Sequence, residues 1–119
     1  MAFEQTQKEK VIESLMGEHR QGQIAEINLR LQGETDEAEK VWQKNARLSA
    51  EIDILIGQMM DEWLGNAGRA IKGLAKINTN IEAAVADIKK KINVAQNVVK
   101  IIGLLDDAVA IAKKVVKGL

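Results

Sequence analysis

The stretch that decides the fold is residues 68–119, which read GRAIKGLAKINTNIEAAVADIKKKINVAQNVVKIIGLLDDAVAIAKKVVKGL. Within it one row of apolar residues recurs every seven positions, and a second row follows three positions behind the first. The first row is Leu74, Ile81, Ile88, Ala95, Ile102, Val109 and Val116, and the second is Ile77, Ala84, Val98, Leu105, Ala112 and Leu119, with Lys91 as its charged exception. Two such rows form one apolar seam along a long helix, so the spacing predicts a helix over about 67–118 that requires packing partners.

Composition makes the whole chain helical and places it in one domain. The 119 residues contain no proline, no tyrosine and no cysteine, and 46% are hydrophobic. Without proline little interrupts a helix, and without cysteine there is neither a disulfide nor a thiol nucleophile. The amino terminus lacks the apolar stretch of a secretory signal, so we expect a cytoplasmic protein, with export independent of a signal peptide left open. Charges interrupt every long apolar run, so no transmembrane span is expected.

Two shorter helices are predicted before the long one, over about 5–32 and 35–64. Gly33 is well placed to end the first in a left-handed conformation, and Asp36 with Glu39 has the spacing of a capping box at the start of the second. Residues 27–32 alternate as a strand would, but no matching strand exists elsewhere, so helix is preferred. Asn45 falls in the apolar stripe of the second helix, where a polar residue more often fixes register than binds a ligand. The run Asn78-Thr79-Asn80 predicts a kink or restart in the third helix.

The two halves of the chain carry opposite charge. Residues 1–64 hold 7 Lys or Arg against 13 Asp or Glu, a net of −6, whereas residues 65–119 hold 10 against 4, a net of +6. This polarity favours packing of the back half against the front half, or of one copy against another. The functional alternative is that the basic half contacts an anionic surface.

The predicted architecture is all-α, with three long helices in an antiparallel bundle or coiled coil. The long carboxy-terminal helix would overhang its two shorter neighbours and leave part of its seam uncovered. We therefore expect a homo-oligomer, most simply a dimer.

The chain offers few groups for catalysis, and we predict that it is not an enzyme. His19 is the sole histidine and lies in line with apolar positions, which is typical of a boundary histidine without catalytic duty. Ser14 and Ser49 do not lie in nucleophile turns, and the Glu-x-x-His pairs of di-iron bundles are absent. We expect no catalytic residue, cofactor or metal. Nucleic acid is disfavoured because residues 64–119 contain no aromatic side chain to stack on bases.

The predicted function is a non-enzymatic helical module for protein–protein interaction or assembly, acting through amphipathic helix faces. Its interaction seam would be Leu74, Ile81, Ile88, Ile102, Leu105, Val109 and Val116. The alternative is a component of a membrane-perturbing or pore-forming system, because the carboxy-terminal helix is strongly apolar and basic. Its contacts to an anionic membrane surface would be Lys100, Lys113, Lys114 and Lys117.

Overall fold

The structure, a computed structural model, describes residues 5–57 and 67–117 and is helical throughout them, apart from two short turns. Four helices follow one another in the chain: α1 spans Gln5–Leu31, α2 Thr35–Gly57, α3 Ala67–Lys89 and α4 Val94–Lys117. The prediction of an all-α helical bundle is confirmed. The predicted end of the second helix near residue 64 and the chain between it and residue 67 lie outside the described residues.

The predicted third helix is two helices, because the chain turns at residues 90–93. Lys91 and Asn93 both have positive φ, 61° and 45°. The amide of Ile92 donates to Asp87 O at 2.9 Å and that of Lys91 to Ile88 O at 3.0 Å, which is the Schellman pattern of a helix end. Lys91 is the charged exception of the second row. The left-handed residue of this motif is most often glycine, but in this chain it is Lys91. The sequence therefore contains no glycine from which this turn could be predicted.

The same motif ends α1 and confirms the prediction at Gly33. Gly33 has a φ of 79°, and the amide of Glu34 donates to Leu29 O at 2.9 Å. By contrast, the kink predicted near residues 78–80 is wrong, because α3 runs through them without interruption. Thr79 bonds its hydroxyl to Ala75 O at 3.1 Å one turn back, so its polar group is satisfied within the helix.

The four helices form two antiparallel hairpins that lie side by side. α1 packs against α2 and α3, α4 packs against α3 and α2, and α1 and α4 face each other diagonally. Gln32 Nε2 donates to Ile88 O at 2.7 Å, so the carboxy-terminal ends of α1 and α3 lie together and these two helices are parallel. The parallel helices α2 and α4 are joined by the ion pairs Lys113–Glu51 and Lys44–Asp106. In Lys113–Glu51 the back half supplies the cation, as the charges of the two halves predict. In Lys44–Asp106 the front half supplies it.

Beyond the turn at 90–93, one of the two predicted rows moves by one residue in α4. Along α3 the residues of the predicted rows, Leu74, Ile77, Ile81, Ala84 and Ile88, are buried, and Ala70 and Val85 are buried as well. In α4 the second row continues as Val98, Leu105 and Ala112, but the first row is replaced by Ile101, Ala108 and Val115. Val109 remains buried, whereas Ala95 is exposed and Ile102 is half-buried. The predicted seam is therefore not one continuous line.

The carboxy-terminal helix does not project from the bundle. α4 has 24 residues, and its inner face is buried from Val98 to Val115 against the other helices. The predicted overhang is wrong because the turn folds α4 back along α3. Because α4 has no overhang along its described residues, there is no uncovered seam on it from which an oligomer would be expected. Within residues 5–57 and 67–117, no helix is long and apolar enough to span a bilayer.

Candidate functional site

The predicted interaction seam lies inside the chain's own bundle. Of its seven residues, Leu74, Ile81, Ile88, Leu105 and Val109 are buried and Ile102 is half-buried. The side chain of Val116 lies outside the described part. Because these residues contact other helices of the same chain, the seam serves here as an intramolecular core.

The basic residues proposed to meet an anionic surface are spread along α4. Lys100, Lys113 and Lys114 are exposed, and the side chain of Lys117 is not among those described. Lys113 Nζ lies 4.0 Å from Glu51 Oε1 of α2. Thirteen residues separate Lys100 from Lys113, a distance of about 20 Å along a helix. These lysines are not gathered into one cluster.

A groove runs along the surface between α1 and α2, and we call it the α1–α2 groove. It has a volume of about 340 Å³. Its lining residues are His19, Gln23 and Glu26 of α1 and Trp42, Asn45, Ala46 and Ser49 of α2. Small-molecule sites are lined mainly by apolar and aromatic side chains, whereas most side chains that line this groove are polar.

Asn45 lines the groove and occupies the space that Gly22 of α1 leaves because it has no side chain. A Cβ atom built on Gly22 would lie 2.6 Å from Asn45 Cγ, closer than real Cβ contacts. Asn45 is 2% exposed, and its Nδ2 donates to His19 O at 2.8 Å. This bond fixes the orientation of the amide and leaves Asn45 Oδ1 buried without a partner. The polar residue expected to fix register thus joins α2 to the backbone of α1.

Large apolar side chains are exposed on the outer faces of α1 and α2, and one of them lines the groove. Trp42 is 50% exposed at its edge. On α1, Met16 lies one turn before His19, and Ile27 lies one turn after Gln23; they are 48% and 57% exposed. We call Met16, Ile27 and Trp42 the Trp42 surface. All three belong to the apolar residues at helical spacing in their helices, yet the structure leaves each of them about half exposed.

The groove brings His19, Ser49 and Glu26 near one another but does not connect them as a catalytic relay. His19 Nδ1 is buried and has no hydrogen-bond partner, so no carboxylate orients the imidazole. Glu26 Oε2 instead accepts from Arg30 Nε at 2.9 Å, and Arg30 Nη2 reaches Glu39 Oε2 of α2 at 3.3 Å. The hydrogen bonds to Glu26 and Glu39 raise the pKa of Arg30. A nucleophile, a base and an orienting acid in hydrogen-bond contact are required for such a relay.

Sequence reasoning missed the most unusual buried residue, Glu18. The buried face of α1 is Val11, Leu15, Glu18, Gly22, Ala25 and Leu29. Glu18 is 0% exposed, and burial raises its pKa from 4.5 to about 8. The sequence does contain a signal for its burial. Steps of four and three residues alternate from Val11 to Leu29, and positions 18 and 22 fall in this series, which places them on the apolar face. Exposed Met16, Ile27 and Leu31 formed a competing apolar pattern.

The described residues contain no group of three or more His, Asp or Glu side chains that could hold a metal ion. No protein-family model matches the chain, and neither a curated protein nor a solved structure is significantly similar to it.

Proposed function

We propose that the protein is a non-enzymatic interaction module that binds through the Trp42 surface, and that its partner is a second copy of the chain. The observation that carries the proposal is the half-exposed indole of Trp42 beside a groove. Tryptophan is enriched among the residues that dominate binding energy, and contiguous exposed apolar side chains mark interaction sites. The cytoplasmic location expected from the sequence remains part of this proposal.

The charge pattern of α1 favours a second copy as the partner. If two α1 helices pair antiparallel about a two-fold axis between Gln21 and Gly22, Met16 of each copy faces Ile27 of the other. The same axis places Glu13 at the level of Arg30 of the other copy; both are exposed, and Arg30 also pairs with Glu26 and Glu39 of its own copy. Such an isologous interface is self-complementary in both apolar and charged contacts.

Sedimentation equilibrium tests the proposal with a matched pair of variants. We expect the wild type to be a dimer at tens of micromolar concentration. Ile27→Asp should give a monomer with an unchanged melting temperature, because the side chain is 57% exposed and contributes little to the fold. The control is Val99→Asp, on α4 and 70% exposed, which should remain a dimer. A monomeric wild type, or equal dissociation of both variants, would exclude the Trp42 surface as the dimer interface.

The non-enzymatic part of the proposal is supported by the polar groups of the groove, since Glu26 is engaged by Arg30 and His19 Nδ1 has no partner. The membrane-perturbing alternative requires α4 to present its apolar face. That face, including Val98, Leu105 and Ala112, is buried, so no observation favours the alternative.

A further inference from the structure

Glu18 lies in the core at a position that an apolar residue would normally fill. It is 0% exposed, and neither of its carboxyl oxygens has a hydrogen-bond partner. An ionised carboxylate there would lose its hydration without gaining a donor or a counter-charge, at a large cost in free energy. The residue therefore needs an explanation beyond packing.

Two asparagines from neighbouring helices lie on either side of Glu18. A Cβ on Gly22 would lie 2.6 Å from Asn45 Cγ of α2, and one on Gly17 would lie 3.7 Å from Asn78 Nδ2 of α3. Glu18 follows Gly17 and precedes Gly22 by one turn, so it lies in α1 between the two glycines that these amides pack against. Asn45 Oδ1 and Asn78 Oδ1 are both buried and without partners. We call Glu18, Asn45 and Asn78 the Glu18 layer.

The Glu18 layer has an excess of hydrogen-bond acceptors. Its four buried atoms without partners are the two carboxyl oxygens and the two amide oxygens. An ionised Glu18 would only accept hydrogen bonds, whereas a protonated carboxyl has one O–H to donate. The proton thus supplies a donor that this layer lacks and removes the buried charge at the same time.

We propose that Glu18 acts as a proton-operated lock on the bundle, which holds α1 between the amides of Asn45 and Asn78 while the carboxyl is protonated and loosens when the proton is lost. Loosening of α1 uncovers the part of α3 that packs against it. This inference does not depend on the proposed dimer.

Within the described residues no charged side chain pairs with Glu18. The titratable or charged residues nearest to the layer in sequence are His19 on α1, Lys44 on α2, and Lys76 and Glu82 on α3, and Asp106 of α4 pairs with Lys44. Lys44 pairs with Asp106 at 3.0 Å, and Lys76 and Glu82 are exposed. Burial raises the pKa of Glu18 to about 8, and no charge or hydrogen bond contributes to that shift.

The direction of the pH dependence follows from the two protonation equilibria. The carboxyl loses its proton near pH 4.5 in the unfolded chain and near pH 8 in the bundle. Between these values the folded protein binds more protons than the unfolded one, so stability falls as pH rises. Through this group alone the folding equilibrium constant falls by up to about tenfold for each pH unit in that window. Below and above the window Glu18 adds no pH dependence.

Urea unfolding at pH 5 to 9 of the wild type and Glu18→Gln tests the lock. The difference between the two isolates Glu18, since all other groups titrate in both. We expect the stability of the wild type relative to Glu18→Gln to fall by up to about tenfold in equilibrium constant per pH unit up to pH 8 and to level off above it. The control variant Asp53→Asn, at an exposed position of α2 outside the proposed dimer interface, should follow the wild type. A dye that fluoresces on apolar surface, anilinonaphthalene sulfonate, should bind the wild type above pH 8 more than it binds Glu18→Gln.

A constant difference between wild type and Glu18→Gln across this pH range would overturn the proposal, because the carboxyl would then titrate alike in both states. If Glu18→Gln fails to fold, the wild type still decides the matter. The carboxyl carbon of Glu18 in a ¹³C NMR titration should shift with a midpoint near pH 8. A midpoint near pH 4.5 would show an ionised side chain at neutral pH and would refute the lock.

Discussion

Replacement of Gly22 by alanine should destabilise the protein, although alanine is the better helix former. A Cβ atom at this position would lie 2.6 to 2.8 Å from three atoms of the Asn45 side chain, so Asn45 must move. Asn45 is 2% exposed and donates to His19 O, which leaves it little room.

The magnitude follows from three contributions. Overpacking of a core site costs about 1–3 kcal/mol, and loss of the Asn45–His19 hydrogen bond costs about 1 kcal/mol. Better helix propensity offsets roughly 1 kcal/mol of this. We expect a net loss of about 1–3 kcal/mol, which lowers the melting temperature by several degrees in a chain of this size.

Thermal and urea unfolding followed by circular dichroism measure the effect. The matched control is Gly103→Ala, within α4, where a Cβ atom meets nothing within 4 Å. That variant should gain up to about 1 kcal/mol from helix propensity. In the double variant Gly22→Ala/Asn45→Ala the clash is absent, so its loss should be smaller than the sum of the two single losses. Gly22→Ala with the stability of Gly103→Ala would refute the packing of Asn45 against α1.

Three further outcomes are expected. Ile88→Asp places an unpaired charge at a residue that is 0% exposed, so a loss of several kcal/mol is expected and circular dichroism should show an unfolded or molten chain; an unchanged melt would show that α3 is not packed as described. Removal of residues 104–119 deletes buried Leu105 and Val115, so α2 loses its neighbour and the helical signal should collapse, whereas a cooperative melt near the full-length temperature would contradict this. Glu18→Leu removes the cost of keeping a buried carboxyl protonated at pH 7, which exceeds the roughly 1 kcal/mol of the hydrogen bond that its O–H donates, and should stabilise the bundle by about 1–3 kcal/mol at pH 7; equal or lower stability in urea would show that the folded chain does not bear this protonation cost.

The helical segments were predicted well from the sequence, but only some of the helix ends were. Two turns show the physical reason. The same Schellman motif ends α1 at Gly33 and α3 at Lys91. Glycine adopts positive φ without strain, so Gly33 allows the first turn to be predicted. Lysine has no such preference, so Lys91 does not allow the second to be predicted. The predicted long helix followed from that missing signal, as did the predicted overhang.

The candidate site was harder to predict because it depends on which face of α1 is buried. Residues 18 and 22 lie on the buried face but are glutamate and glycine, so an apolar pattern skipped them. Met16 and Ile27 are apolar and lie outside, which moved the predicted face towards the wrong side of the helix. The groove beside Trp42 arises from the pairing of α1 with α2, and no single-helix pattern contains that information.

The distance between residues 72 and 114 tests the central claim, that the carboxy-terminal half is a hairpin whose seam is covered by the same chain. The sequence contains no cysteine, so Lys72→Cys and Lys114→Cys, both at exposed positions, allow specific spin labelling. In the hairpin these positions lie on adjacent helices, and double electron–electron resonance should give a narrow distribution at roughly 15–25 Å once the label linkers are added to a helix spacing of 8–10 Å. Dilution with unlabelled protein leaves only the distance within one chain. A distance of about 63 Å, the length of 42 residues of continuous helix, would contradict the account.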